Sequence, residues 1–498
     1  MTAVGETSSP VRRRRIAGAS RLAPGLLLCA GCAVGPQYSR PSVPVPPAYR
    51  EAGAWKAAKP SDEVGRGKWW AVFQDPGLDA LEDQITLSNQ TLRAAEAQFL
   101  QARALIRFDR AGYFPTATLA PSAARSRLSA NRPLSSSPSP VTNNDFVLPF
   151  DLSYEADVWG RVRRSVAARR ADAQASAADV EGVRLSLAAE LAVDYFELRG
   201  LDAEEELLHS TARGYERALE LTRSRYQGGI ASQVDVAQAE AQLEATRAQA
   251  IDLGVQRSQL EHAIATLTGQ PASGFSLPPS PALGAPPSTP VGVPSELLER
   301  RPDIAAAERR MAAASERIGV AKAAYFPTVT LTASRGFEST ALGVLLSGPS
   351  ALWSVAGGAL QTIFDAGRRR ATSEQAREAY NQAVASYRQT VLTGFQEVED
   401  NLAALRILEE EAKTQDAAVT AAQRSLELST NRYKGGVVSY LEVITAQSTA
   451  LADERLAVGI LRRRMTASIL LVKALGGGWD ASPLVPAPPP VAQLRPAS

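Results

Sequence analysis

The sequence predicts a mainly α-helical chain with transmembrane β: long helical hairpins that pack as a coiled-coil barrel, plus four strands that contribute to a larger β-barrel. Three observations carry this. The chain is one module written twice, each copy holds a very long proline-free run, and each copy holds segments of alternating polarity.

The duplication is plainest at RYQGGIASQVDVAQAE and RYKGGVVSYLEVITAQ, whose first arginines, Arg225 and Arg432, are 207 residues apart. The same spacing relates Tyr226 to Tyr433, Gly228 to Gly435, Gly229 to Gly436, Ser232 to Ser439, Asp235 to Glu442 and Gly269 to Gly476. Upstream, YFPTATLAPS at Tyr113 answers YFPTVTLTAS at Tyr325 with a spacing of 212, the shift falling in the loop-like region between. Proline marks the borders. None occurs between Gly160 and Gln270 or between Phe364 and Ser482, whereas prolines crowd the stretch from Pro271 and the C-terminal tail. The expected segments are 1–31 as an export signal, 32–75 as an anchored extended segment and 76–270 as the first repeat. A proline-rich linker, 271–294, leads to the second repeat, 295–480, and 481–498 is read as a disordered tail.

At the N-terminus a basic run, VRRRR, precedes a short apolar core, LAPGLLLCAG, and then Cys32, the pattern of an export signal. Ala30-Gly31-Cys32 resembles a bacterial lipobox, in which the cysteine becomes the acylated first residue; Cys29 stands where leucine is usual. The rival reading, Cys29 and Cys32 as a redox or zinc pair, lacks further ligands, because these are the only two cysteines. Ala33 rather than Asp after the cysteine points to the outer membrane. More than one acyl chain holds a protein stably to a bilayer, one only marginally.

Charge excludes another class. The formal charge is +2, but the first 31 residues carry five arginines against Glu6. Without them 49 basic groups face 51 acidic ones, a balance of about −2 that gives no footing for nucleic acid. No apolar run reaches the roughly 18 residues of a membrane-crossing helix.

Each copy is expected to open with a helical stretch (about 78–112, then about 295–324), followed by two strands, a very long helix, a Gly-Gly turn and a shorter helix. In FVLPFDLSYEAD, Phe146, Leu148, Phe150, Leu152 and Tyr154 share one face, and Asp151, Ser153 and Glu155 the other. TVTLTAS repeats the alternation with Val329, Leu331 and Ala333. Strands of about ten residues, apolar outside and polar inside, suit a membrane barrel with a wet lumen; a half-buried soluble sheet would alternate in the same way. Arg161 to Gln227 is 67 residues without proline, about 100 Å as a helix. No single globular domain buries such a rod, so its stripe of Val183, Leu187, Leu191 and Tyr195 is expected to pack on other helices. Gly228-Gly229 and Gly435-Gly436 would each cost a helix about 1 kcal/mol per glycine but suit a helix end in a left-handed turn. Ser232 and Ser439 follow as N-caps, with Asp235 and Glu442 placed for capping boxes. Arg-Tyr-x-Gly-Gly is therefore read as the tip of a helical hairpin.

These residues bring a family into view. CAVGPQYSRP, GKWWAVFQDPGLDALEDQ from Gly67, ERRPDIAAAERRMAAASERIGVAKAAYFPTVTLTAS from Glu299, IFDAGRRR from Ile363 and KALGGGW from Lys473 join the two tips in a run of ordered matches. The chain resembles the TolC-like outer-membrane factors of bacterial tripartite efflux systems, particularly their lipoprotein branch. The resemblance implies a homotrimer whose chains each give four strands to a shared twelve-stranded barrel, with the helices forming a tunnel through the periplasm. It implies as partners a periplasmic adaptor protein, an inner-membrane transporter of RND or ABC type and the outer-membrane lipid, and no cofactor. Elementary physics also asks for the oligomer, because four strands cannot close and an open edge cannot face lipid.

The resemblance assigns adaptor docking to the tips: Gly228, Gly229, Ile230 and Ser232, and Gly435, Gly436, Val437 and Ser439. It places a periplasmic gate at Tyr433 and Leu441; three copies of Leu441 on an axis would dewet a constriction. The family's acid and basic residues further along this helix are here Thr445 and Ser448, leaving Glu442 as the nearest substitute. Nothing points to an enzyme or a metal site: His209 and His262 are isolated, and no phosphate loop or nucleophile elbow occurs. Two other classes compete with a channel. A periplasmic adaptor would have one hairpin and β-rich modules, and a structural coiled coil would lack the FVLPFDLSYEAD alternation.

Overall fold

A computed structural model describes residues 34–42, 45–46, 48–50, 68–129, 141–281, 283–287 and 301–477. The expected signal and Cys32, half of the extended segment, the linker's end and the proline-rich tail lie outside the described residues. Helices α1 (Pro76–Ser88) and α2 (Gln90–Ala111) lead to strands β1 (Thr116–Leu119), β2 (Ser122–Leu128) and β3 (Val141–Ala156). Helices α3 (Arg161–Gln227) and α4 (Gln233–Leu267) follow. The second copy supplies α5 (Pro302–Ala323), β4 (Thr328–Ser339), β5 (Ala351–Leu360), α6 (Arg368–Lys434) and α7 (Tyr440–Ala474). Both long helices, α3 and α6, have 67 residues, and both shorter ones, α4 and α7, have 35.

The helix expected over 78–112 is in fact two. Asn89 adopts an extended conformation and its side-chain oxygen accepts from Leu92 N at 2.9 Å, capping α2. Its amide donates to Leu267 O at 2.8 Å, so the break is also a tie to α4. A short polar side chain that satisfies a helix start outweighs one more turn of continuous helix. In the second copy a helix begins at Pro302, a favoured first position; the part of the expected stretch from 295 to 300 lies outside the described residues.

The chain divides into two compact units. One comprises Met1–Tyr38, Arg107–Ala168 and Ser315–Arg377, and contains the sheet. Its strands run antiparallel in the order β1/β2, β3, β4, β5. β1 and β2 pair with successive parts of β3, so they are one strand broken at Ala120-Pro121. Pro149, which cannot donate to a ladder, lies opposite that break. Register aligns one face across the sheet: Phe150 opposes Leu119 and Arg335, Leu152 opposes Ala117 and Ala333, Tyr154 opposes Leu331, and Ala333 opposes Val355. The other face sets Asp151 between Thr118 and Ser334, and Ser153 between Thr116 and Thr332. From Leu148 to Tyr154 of β3 one face is thus apolar apart from Arg335; nearer the start of β3, Thr142 and Asn144 opposite Arg127 and Arg125 put polar side chains on that same face. Among the described residues no strand pairs with the outer edge of β1/β2 or of β5, and Trp353 and Val355 on β5 are more than 70 % exposed.

The same unit holds the start of the described chain. Val34 N donates to Trp159 O at 3.2 Å, and Arg164 donates to Pro36 O and to Glu316. The Trp159 ring stacks on Phe326 at 4.7 Å and its indole N–H donates to Pro327 O.

The other unit comprises Ser39–Ile106, Arg169–Ala314 and Glu378–Ser498. Its main core gathers Leu78, Leu81 and Ile85 of α1, Leu187, Leu191, Tyr195 and Leu198 of α3, Ile264 of α4 and Ile469 of α7. Leu187, Leu191 and Tyr195 of the expected stripe on α3 are buried there, and Val183 packs half-buried against them. Asp75 caps α1 by accepting from Gly77 N and Leu78 N and also accepts from the Tyr195 hydroxyl at 2.9 Å. Ion pairs tie α3 to α7 through Arg462 with Glu197 and Arg455 with Glu204. One residue conflicts with this core. Glu82 on α1 is 1 % exposed, neither carboxylate oxygen has a hydrogen-bond partner, and burial together with Asp79 and Asp83 pushes its carboxyl up to about 9. Among the described residues no helix is long and apolar enough to cross a membrane.

Candidate functional site

The two Arg-Tyr-x-Gly-Gly segments end α3 and α6 in the same geometry. Gly229 has φ +75° and Gly436 φ +76°, the left-handed conformation that glycine adopts without strain. At the first tip Ile230 N donates to Arg225 O and Gly229 N to Tyr226 O; at the second Val437 N donates to Arg432 O and Gly436 N to Tyr433 O. This double closure is a Schellman motif, and it satisfies carbonyls that the helix end would leave free. The preceding glycines are different. Neither Gly228 nor Gly435 is left-handed, and a Cβ on Gly435 would meet Arg432 O at 3.5 Å, an ordinary contact. The turn does not require glycine there.

Just past the glycines, Ile230 and Val437 are about 70 % exposed, and Val234 and Leu441 are exposed on the helices that follow. Each hairpin thus ends in an apolar patch on a flat, small-residue turn. The caps beyond differ. Ser232 and Asp235 form a reciprocal capping box, Asp235 N donating to Ser232 Oγ at 3.2 Å and Ser232 N to Asp235 Oδ2 at 2.9 Å. Ser439 holds the N-cap position of α7 with no side-chain capping bond: Glu442 N donates to Ser439 O at 3.3 Å, and the Glu442 carboxylate pairs with Arg432 at 2.8 Å.

The residues expected to form a gate separate. Leu441 is exposed, whereas Tyr433 is 5 % exposed, packed on Tyr440 with ring centres 5.2 Å apart. The Arg225 guanidinium sits 4.8 Å above the Tyr433 ring, and Arg225 Nη1 donates to Lys434 O at 3.0 Å. Arg225 therefore fastens the first hairpin to the second, a contact not foreseen in the sequence although the arginine heads the repeated motif. Thr445 donates to Leu441 O, and Ser448 accepts from Gln242. Both contacts are neutral; the first lies within α7 and the second joins α4 to α7. Behind them a cavity of about 640 Å³ is lined by Tyr215, Tyr433, Tyr440 and Gln447; burial, with Tyr433 alongside, pushes the Tyr440 hydroxyl up to about 12, so it stays protonated. Among the described residues no three His, Cys, Asp or Glu side chains gather as a metal site, and His209 rests beside Glu205 on its own helix.

An antiparallel sheet that is apolar on one face from Leu148 to Tyr154 and has no strand on either outer edge among the described residues, together with two helical hairpins, defines a class of envelope channel subunit, and comparison with known proteins agrees. The chain belongs to the outer membrane efflux protein family, whose model matches residues 81–270 and 293–477. It is 33 % identical over 458 residues to the probable efflux pump outer membrane protein SepC of Pseudomonas putida, covering 91 % of this chain and 95 % of that one. Its identity to outer membrane protein OprJ of Pseudomonas aeruginosa is 32 % over 471 residues, 94 % of this chain and 97 % of that one. Among solved structures it superposes on the outer-membrane channel OprN with a TM-score of 0.83 at 30 % identity, over 90 % of this chain and all of that one. The open state of the MtrE outer membrane channel of Neisseria gonorrhoeae gives 0.78 at 28 % identity, over 90 % and 99 %.

Proposed function

We propose that this protein is the outer-membrane channel of a tripartite efflux pump: a passive, trimeric conduit through outer membrane and periplasm. A periplasmic adaptor and an inner-membrane transporter of RND or ABC type open it. The observation that carries the reading is the sheet, whose register makes one face apolar and the other polar from Leu148 to Tyr154 while, among the described residues, both edges stay unpaired. In a bilayer such edges are untenable, and pairing β5 of one copy with β1/β2 of the next removes them. Three copies give twelve strands around a hollow polar lumen, with acylated Cys32 as a second hold on the membrane. Energy comes from the transporter, and the channel supplies only the path.

In this reading the tips dock the adaptor. Gly228 and Gly435 are free of the turn's backbone demands, so their missing side chains serve close approach by another chain. Ile230 and Val437 supply apolar contact, with Gly229, Gly436, Ser232 and Ser439 fixing the turn. Leu441 forms the gate, and Tyr433 under Arg225 and Glu442 with Arg432 hold it closed.

Gly435→Asp tests the docking. Its side chain fits the backbone, so the variant is expected to reach the outer membrane as a trimer in normal amount. Cross-linking to the adaptor and drug resistance of the host should then be lost by at least tenfold. Full cross-linking and resistance in a correctly assembled variant would remove the tips from the docking surface.

A further inference from the structure

On the apolar face of the sheet lies a groove of about 450 Å³, walled by Tyr113, Leu152, Tyr154, Leu331 and Val355 and floored by Gly357. It is within the size range of small-ligand sites, but its lining is aliphatic and aromatic carbon with hardly a polar group to orient a ligand. An unbranched hydrocarbon fits that chemistry. Leu331 and Val355 are themselves exposed, 48 % and 75 %, so the groove is open along its length.

Position indicates which hydrocarbon. The groove lies towards the helix-bearing end of the strands, since Leu152 and Tyr154 are close to the end of β3 at Ala156. Trp159, three residues past that end, accepts the hydrogen bond from Val34 N. The chain is clamped again at Pro36 by Arg164, and a Cβ on Gly35 would come within 2.7 Å of the Gly319 backbone. Cys32 is two residues before Val34 and can lie no more than about 7 Å from it. A chain of some sixteen carbons on Cys32 therefore starts beside the sheet's end and is long enough to reach the groove. Tethering raises its local concentration there far above that of untethered lipid.

We propose that this groove seats an acyl chain carried by Cys32, so that the lipid anchor packs on its own sheet as well as dissolving in the bilayer. The proposal rests on the reading of Cys32 as an acylated residue.

The test uses the full protein produced in cells fed a palmitic acid analogue that carries a photoactivatable diazirine. After irradiation in membranes and purification, the peptides are mapped by mass spectrometry. The expected result is a covalent junction between the N-terminal peptide bearing Cys32 and the peptides that carry Leu331 and Val355. In Gly357→Phe, which fills the groove from the apolar face, that junction should fall at least fivefold while the trimer still assembles. Label on the Cys32 peptide with junctions scattered over the apolar face, or the same junction yield in Gly357→Phe, overturns the seat. Lipid mass on single peptides without the junction shows that bulk phospholipid fills the groove and also overturns it. An N-terminal peptide without label overturns acylation itself, a distinct failure that takes the tethered occupant with it.

Discussion

Glu82→Leu should make the protein markedly more stable, and by an amount that grows with pH. Glu82 is buried among Leu78, Leu81 and Ile85 with no partner for either oxygen. Its carboxyl is held up near 9 first by burial and then by Asp79 and Asp83, against an ordinary value of 4.5. Here the folded value lies above the unfolded one, so the folded state keeps a proton that the unfolded chain gives up. Stability is full below about pH 4.5, falls by roughly 1.4 kcal/mol for each pH unit above it, and levels off beyond about 9. Leucine removes that loss and restores apolar packing, so the two proteins should be similar near pH 5 and several kcal/mol apart at pH 9. Denaturant midpoints measured for both across pH 5–9 check this. A gap that does not change with pH would mean that Glu82 finds a partner in the folded protein.

Leu441→Ser should raise single-channel conductance in planar bilayers several-fold while leaving stability nearly unchanged. Leu441 is 56 % exposed in the first turn of α7, so the substitution removes little packing within the chain and should cost under about 0.5 kcal/mol. In a trimer three such leucines around an axis exclude water from a narrow aperture, whereas three serines let it wet. The nearby polar contacts are neutral or internal: Ser448 with Gln242, Thr445 with its own helix, and Glu442 with Arg432. An unchanged conductance would transfer the barrier to the Arg225, Tyr433 and Lys434 contact, for which Arg225→Ala is the corresponding variant.

Much of this architecture is visible in the sequence because it depends on backbone chemistry. The bounds of α3 follow from a proline-free run that ends at two glycines, and the turn follows from the left-handed residue that Gly229 supplies. The strand faces follow from alternation at Phe146 to Tyr154. What was not legible depends on competition between side chains. Asn89 breaks the opening helix because it satisfies α2 and Leu267 together. The two capping boxes read alike, yet only one forms. In the first copy Arg225 is drawn across to Lys434 O and Tyr433, leaving Asp235 to cap; in the second Arg432 stays on its own hairpin and takes Glu442. A repeated motif fixes the turn, but the destination of its arginine is a tertiary matter. The break at Ala120-Pro121 carries a proline signal, yet only the pairing with β3 shows that β1 and β2 are one interrupted strand.

The number of copies in the assembled protein bears on all of this most directly. Native mass spectrometry of material extracted from the outer membrane in mild detergent should give three chains per particle, with no population of single chains at working concentration. A particle of one chain would leave the edges of β5 and β1/β2 without partners, and the conduit with no wall.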